Sequence, residues 1–343
     1  MKESIVLPVE PNPGFETECY HNFRLSIIFS NPQLLPWYHS HFLNITIKDS
    51  GLDQFPQVNF EEHLDIYSDI IKEETVRKQE DWIEYIRKAI QEGHYILAYL
   101  NWKNITSSSF YKKEDMIHEC IIYGFDDNTM EFHVLAFEVD NKVYGTTKIH
   151  YDVFHNEFRR VLKEDIFTQR WFAYYGFPIA KINILPCPSK NLDAKKIYFA
   201  LERSLNNTLD SKKESIYAIG YFVNDFLASY FKQLYNGRPL DKGEYTMWNM
   251  MIHKILLHKT VMINKMDYLS TLFDEQAAIK VKKFFEKSKK QVKLIQGYTF
   301  KYQRTSDPQF LNAISECFKK MYQLEKRTMP MLKEYLVNFC LDV

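Results

Sequence analysis

The sequence predicts an α+β protein with an N-terminal domain built on an antiparallel sheet and an all-helical C-terminal domain. Strand-like runs of apolar and aromatic residues occupy much of residues 94–138. From residue 193 to 339 the apolar residues recur almost throughout at helical spacing. Between these parts, at 186–189, a Pro-Cys-Pro-Ser segment stops both helices and strands. We therefore predict one domain over residues 1–188 and a second over 189–343.

The first helical pattern lies within residues 16–29, directly after a loop with two prolines and a glycine, and Cys19 is at or just before its N-terminus. Thr17 or Glu18 can cap this helix, and acidic residues near its start suit its dipole. Backbone N–H groups and the dipole at a helix N-terminus stabilise a thiolate, so this position predicts a lowered pKa for the Cys19 thiol. Because the thiolate is the nucleophilic form of cysteine, Cys19 is the candidate catalytic nucleophile.

Periodicity and turn signals predict the remaining elements. A strand is expected over residues 42–47, and one long helix over 61–92 that ends at Gly93. An Asp-Asp-Asn-Thr turn should join two antiparallel strands of the sheet. The three predicted strands cover 94–102, 118–125 and 131–138. Beyond them we predict a helix at 151–162, a strand at 174–184 and helices at 193–208, 213–236, 243–273, 275–296 and 308–339.

Composition and charge argue against several classes of protein. The 343 residues include 44 Lys or Arg and 44 Asp or Glu, a balance that gives no support to a nucleic-acid partner. There are 10 glycines and no glycine-rich phosphate motif, and the histidines show no metal-ligand spacing, so we expect no metal and no bound cofactor. Five widely spaced cysteines are typical of free thiols in a reducing compartment. Without a signal peptide or a long apolar run, a cytoplasmic protein with no membrane contact is expected.

His118 opens the second strand of the sheet, and the segment continues as His-x5-Gly-Phe-Asp-Asp to Asp127. A histidine at the mouth of a strand, facing a cysteine at the start of a packed helix, is the papain-like arrangement. In the order of Cys19, helix, strand and this histidine segment, the chain resembles papain-like cysteine enzymes over about residues 10–165. Within that superfamily it is most similar to the butirosin-type acyltransferases, which are related to the bacteriocin-leader peptidases.

The resemblance implies a Cys19–His118 pair and a third residue that orients the imidazole. The family places an Asp where this chain has Ala136, so Glu138, two residues on and facing the same side, is the first candidate. Asn101 and Asp140 are the alternatives. The Gln that papain-like enzymes place before the cysteine to form the oxyanion hole is replaced by Pro13, which leaves Asn12 as the nearest amide.

The resemblance also implies a reaction. Cys19 would take an acyl group from the phosphopantetheine thioester of a carrier protein and pass it to an amine, forming an amide in thiotemplated natural-product biosynthesis. Trp102, Tyr245 and Trp248 are candidates for the substrate pocket, although an aromatic stripe at helical spacing also fits an ordinary helix core. The basic run at 280–290 is either a docking site for an acidic carrier protein or a solvated helix face. The rival functions are a cysteine peptidase or amidase using the same pair, and a catalytically inactive papain-like binding module.

Overall fold

The structure is a computed structural model that describes residues 3–48, 56–76, 79–163, 178–186, 191–208, 216–240 and 242–342. It is an α+β protein with a mainly antiparallel sheet and C-terminal helices, which confirms the predicted class. Contacts divide the chain into two units. The first comprises Met1–Leu35 and Leu64–Ser189, and the second comprises Pro36–His63 and Lys190–Val343. Residues 36–63 belong to the second unit although residues on both sides of them belong to the first, which the sequence did not predict.

The first unit combines a sheet with several helices, and helices dominate the second. The described residues form the strands β1 Ser4–Val6, β2 Ile45–Lys48, β3 Gln57–Phe60, β4 Ile71–Thr75, β5 Tyr95–Asn101, β6 Ile117–Asp126, β7 Glu131–Val139, β8 Lys142–His150, β9 Ile179–Ile184 and β10 Ile216–Ile219. The α-helices are α1 Cys19–Phe29, α2 Leu35–Ser40, α3 Trp82–Gln91, α4 Tyr151–Lys163, α5 Ala194–Asn206, α6 Phe222–Tyr235, α7 Lys242–Ser270, α8 Glu275–Thr305 and α9 Gln309–Asp342.

The first unit is built on a sheet whose strands run in the order β4-β9-β5-β6-β7-β8, with β1 also paired to β6. Strand β5 is buried along its whole length, as expected for an internal strand with apolar residues on both faces. Gly124 lets β1 approach β6, because a Cβ at this position would lie 2.7 Å from the carbonyl oxygen of Ile5. The predicted strands at 94–102, 118–125 and 131–138 are confirmed with small changes in their ends.

The two faces of this sheet are covered by different helices. Cys120 and Ile122 of β6 belong to a core that includes Trp82 and Ile86 of α3 and residues of α4. Side chains alternate along a strand, so the next residue in either direction points to the opposite face. On that face α1 packs, with Phe23 against the ring of Tyr144 at 5.6 Å between centroids. Helix α1 is thus laid on the sheet with Cys19 at its first residue.

The single helix predicted over residues 61–92 is wrong. The structure has a short 3-10 helix at Leu64–Asp69, then β4, and only then α3 with its start capped by the Asp81 side chain. Strand β4 pairs antiparallel with β9 across more than a hundred residues of sequence. Such long-range pairing overrides local helical spacing, since β-structure is decided largely by the packing of neighbouring strands.

Two further differences have the same origin. The helix predicted over residues 213–236 is replaced by β10 and α6, and residues 142–150, to which no element was assigned, form the edge strand β8. Strand β10 pairs with β2, and β8 pairs with β7 along nearly its full length. Part of the strand predicted at 174–184 lies outside the described residues, and its described part is β9.

The second unit combines the three-stranded sheet β10-β2-β3 with helices α5 to α9. Its apolar core includes Ile197 of α5, Met262 of α7, Phe285 of α8 and Leu332 of α9. The long helices at 243–273, 275–296 and 308–339 were predicted at nearly their observed positions, and α8 extends further than expected. Among the helices of the described residues, none combines the length and the apolar character that crossing a bilayer requires.

Candidate functional site

Cys19 is the first residue of α1 and is partly exposed. Glu18 occupies the N-cap position, but its side chain makes no capping hydrogen bond to the helix, and the first turn holds no acidic residue. The carboxylate of Glu18 instead interacts with the hydroxyl of Tyr20. The predicted helix start is therefore confirmed, while capping by Glu18 is wrong because this buried carboxylate is engaged by a tyrosine.

The residue that meets the Cys19 thiol is Glu119. Its carboxylate lies close enough to the thiol to raise the thiol's pKa, and it accepts a hydrogen bond from the hydroxyl of Tyr99, 3.2 Å from Oε2. Glu119 is 95% shielded from solvent, with an exposed fraction of 5%. Strand alternation explains the contact, because Glu119 lies between His118 and Cys120 and so points to the face that α1 covers.

The lowered pKa predicted for the Cys19 thiol is wrong. Burial raises its pKa, and the carboxylates of Glu119 and Glu18 raise it further. The backbone N–H of Tyr20 lowers it, which is the helix N-terminal effect that the sequence suggested. In this site the desolvation of the thiolate and two nearby negative charges outweigh that single N–H group, so Cys19 is a protonated thiol at neutral pH.

Arg24 follows Cys19 on the same helix and is almost fully buried. Its guanidinium forms a two-pronged ion pair with Glu73 of β4, with Nη2 2.8 Å from Oε2, and Nη1 donates to the Tyr20 carbonyl. Burial acts to lower the pKa of Arg24, but Glu73 and then Glu119 outweigh that effect and raise it. Arg24 thus supplies a fixed positive charge to a site that otherwise holds carboxylates, and most of that charge is matched by Glu73.

Two tyrosine side chains also lie in the neighbourhood of the thiol. Tyr99 and Tyr144 are both buried, and burial raises the pKa of each above its ordinary value. Cys19 and Glu119 contribute to both shifts, which places the two hydroxyls near the sulfur and the carboxylate. We call Cys19, Glu119, Arg24, Tyr99 and Tyr144 the Cys19 site.

His118 makes its contacts elsewhere. Its Nδ1 donates to the carbonyl of Glu119 at 3.1 Å, and its ring stacks on Phe137 at 4.9 Å between centroids. Its own carbonyl accepts the indole N–H of Trp102. Across the described residues no hydrogen bond joins the His118 imidazole to the Cys19 thiol. The structure therefore brings Cys19 together with the residue after the predicted histidine, and the catalytic role of His118 stays a prediction.

None of the three candidates for the orienting residue hydrogen-bonds to His118 within the described part of the chain. The ladder between β6 and β7 ends at the Cys120–Ala136 pair, and Glu138 has a left-handed backbone with φ 53°. Its carbonyl accepts from the N–H of Ser109, because residues 107–109 take over as the partner of this end of β7.

Asn101 and Asp140 have structural contacts of their own. The Asn101 side chain accepts from the N–H of Lys103 and donates to Asp115 at 2.8 Å, which caps the turn after β5. Asp140 also has a positive φ, and its N–H donates to Ser107. Both residues shape loops at this end of the sheet.

The oxyanion and pocket candidates also have structural contacts. The exposed Asn12 accepts from the N–H of Gly14 in its own loop. Trp102 is 1% exposed within the core of the first unit, and Trp248 is fully buried in the second, where its indole donates to the Tyr230 hydroxyl and Tyr245 packs on its ring. The two tryptophans are thus parts of cores.

Two residues of the Cys19 site were detectable in the sequence. Glu119 interrupts the apolar run of β6, and Arg24 interrupts the apolar run of α1. A charged residue within an otherwise buried element must be paired, so it marks a polar contact inside the fold. Tyr99 and Tyr144 carried no such signal, because tyrosine is common in buried strands.

No cluster of three or more His, Cys, Asp or Glu placed to hold a metal ion occurs in the residues that the structure describes. Cys19, Cys120, Cys317 and Cys340 are free thiols there, and Cys187 lies outside those residues. No known protein-family model matches the sequence, and no curated protein matches it either.

Proposed function

We propose that this protein is a cysteine-dependent acyltransferase in which Cys19 accepts an acyl group from a carrier-protein thioester and passes it to an amine. The observation that carries the proposal is the buried carboxylate of Glu119, which lies near enough to the partly exposed Cys19 thiol to raise its pKa. The α1 helix laid on an antiparallel sheet supports a papain-like arrangement as part of the same proposal.

The mechanism assigns the proton to Glu119. As the sulfur of Cys19 attacks the thioester carbonyl carbon, its proton passes to the Glu119 carboxylate, and the departing carrier thiolate takes that proton back. An amine then attacks the acyl-Cys19 carbonyl and loses a proton to Glu119, which returns it to the Cys19 sulfur as the amide leaves. A base that acts during the attack is needed because the free thiol has a raised pKa.

The electrostatics of the site favour an activated acyl donor. Peptide bonds have poor leaving groups and need a strong oxyanion hole, whereas a thioester carries a leaving group of modest pKa. The loop residue Asn12 is exposed and engaged in its own turn, so it is not placed as a second oxyanion donor. We therefore favour acyl transfer over the peptidase or amidase reaction that the same cysteine could otherwise perform.

The direct test is the intact mass of the full chain after exposure to an acyl-pantetheine thioester. We expect the mass to rise by one acyl group, and the gain to disappear in Cys19→Ala while remaining in Cys340→Ser, which removes the exposed reference thiol. Adding a primary amine should release the acyl group as an amide. Acylation that persists in Cys19→Ala, or cleavage of a peptide in place of thioester turnover, would refute the proposal.

The raised thiol pKa also favours a second candidate function, a catalytically inactive binding module on the same fold. Iodoacetamide separates the two when it is combined with the thioester, because alkylation depends on the standing thiolate population. We expect Cys19 to be alkylated at neutral pH more slowly than Cys340, with a rate that rises steadily as the pH is raised. Slow alkylation together with rapid acylation supports the enzyme, and slow rates in both reactions support the binding module.

A further inference from the structure

Helix α8 concentrates positive charge in a chain that has none overall. It holds nine Lys or Arg residues and two acidic residues, although the formal charge of the whole chain is zero. Its buried positions include Val281, Phe285 and Val292, so the cations occupy the remaining faces. An amphipathic helix of this kind creates a local positive potential that net charge alone does not reveal.

In a groove between α8 and α9, one lysine of α8 lies near three cations of α9. The groove has a volume of about 540 Å³ and is lined by residues of these two helices alone. Four cations border it, and the remaining side chains include a single acidic residue and one leucine. These six residues are Lys287, Lys319, Lys320, Arg327, Glu316 and Leu324. We call this feature the α8–α9 groove.

The four cations of the groove have no carboxylate partner among the described residues, and Lys287 lies over the ring of Phe284 at 5.3 Å from its centroid. Two basic side chains elsewhere on these helices do form ion pairs, Lys282 with Asp267 at 2.5 Å and Lys333 with Glu202. In the described chain no carboxylate forms an ion pair with any of the groove's four cations. They repel one another at low salt, a cost that an anionic partner would remove.

We propose that the α8–α9 groove binds an acidic helix on the surface of a partner protein. Two adjacent long helices leave a trough into which a third helix packs by its side-chain ridges. Leu324 and the aliphatic stems of the lysines provide an apolar floor, and the charged ends provide partners for Asp or Glu on the incoming helix. A protein helix is favoured over nucleic acid because the chain as a whole carries no net positive charge. The groove lies within the second unit, and the proposal does not depend on the chemistry at Cys19.

The test is binding of a fluorescent helical peptide with one face of glutamates, followed by anisotropy on the full chain. We expect the double substitution Lys287→Glu with Lys320→Glu to weaken binding about tenfold or more, since each reversal turns an attraction into a repulsion. The matched control is Lys293→Glu with Arg304→Glu, which makes the same change in net charge on exposed positions of α8 outside the groove. We expect this control to bind within about twofold of the wild type.

A comparison peptide and a comparison variant make the result specific. A peptide of identical charge with prolines in its centre cannot form the helix and should bind more weakly. The variant Cys19→Ala should bind the helical peptide as the wild type does. Equal losses in the groove and control variants would overturn the proposal by showing a response to net charge alone. Undetectable peptide binding, or tighter binding of duplex DNA of equal charge, would also overturn it.

Discussion

Glu119→Gln is expected to slow the acylation of Cys19 by a thioester about a hundredfold or more, the effect typical of losing a general base. Glutamine keeps the size of the side chain and can still accept the hydrogen bond from Tyr99, so the packing of the site is preserved. What it cannot do is take the thiol proton. The measurement is the rate of mass gain under single-turnover conditions.

The matched control for this prediction is His118→Gln on the neighbouring residue. His118 bonds to a main-chain carbonyl and stacks on Phe137, so its replacement should change the acylation rate by less than about tenfold. Thermal unfolding of both variants tests whether the fold is retained. The reverse pattern, with a severe loss in His118→Gln and normal acylation in Glu119→Gln, would restore the histidine to the mechanism and remove Glu119 from it.

Lys259→Met is expected to lower the free energy of unfolding by about 3–5 kcal/mol, because it leaves a buried carboxylate without its cation. Lys259 and Glu325 are 0% and 1% exposed, and the ammonium donates to Oε2 at 2.9 Å. Asn224 also donates a hydrogen bond to the Glu325 carboxylate. This single amide does not compensate for the loss of the Lys259 charge. Urea unfolding followed by the helical circular-dichroism signal, to which α5 to α9 contribute most, measures the loss.

The double variant Lys259→Met with Glu325→Leu provides the control. Removing both charges should recover most of the stability lost in the single variant, since apolar pairs often replace buried ion pairs at little cost. The explanation by an uncompensated buried charge would be refuted if the single variant were as stable as the wild type, or if the double variant were less stable than the single one.

The parts of the fold that could be predicted are those determined by local patterns. The start of α1 follows from a loop that ends at an apolar helical run, and the β6–β7 hairpin follows from a polar turn between two apolar strands. Strands β4 and β10 could not be predicted, because their partners β9 and β2 lie far away in sequence. Their own residues carry no alternation strong enough to distinguish a strand from a helix.

The sequence predicted a site at Cys19 with His118 as its partner, whereas the structure brings the following residue, Glu119, near the thiol. The motif predicts polar residues at the start of β6. Which face of the sheet each of them points to depends on the register of the strand, and the motif does not determine that register. A shift of one position therefore decides whether His118 or Glu119 faces α1. The thiol pKa could not be predicted either, since it depends on burial and on carboxylates that only the fold brings to the sulfur.

The division of the chain has a consequence for its synthesis. Strands β2 and β3 leave the ribosome early, yet the edge of β2 is completed only by β10, which is translated roughly 170 residues later at Ile216–Ile219. Until β10 is synthesised, the edge of β2 that β10 will cover has no strand partner. An unpaired strand edge of this kind can pair with the wrong strand. Truncation near residue 188 would make that exposed edge permanent.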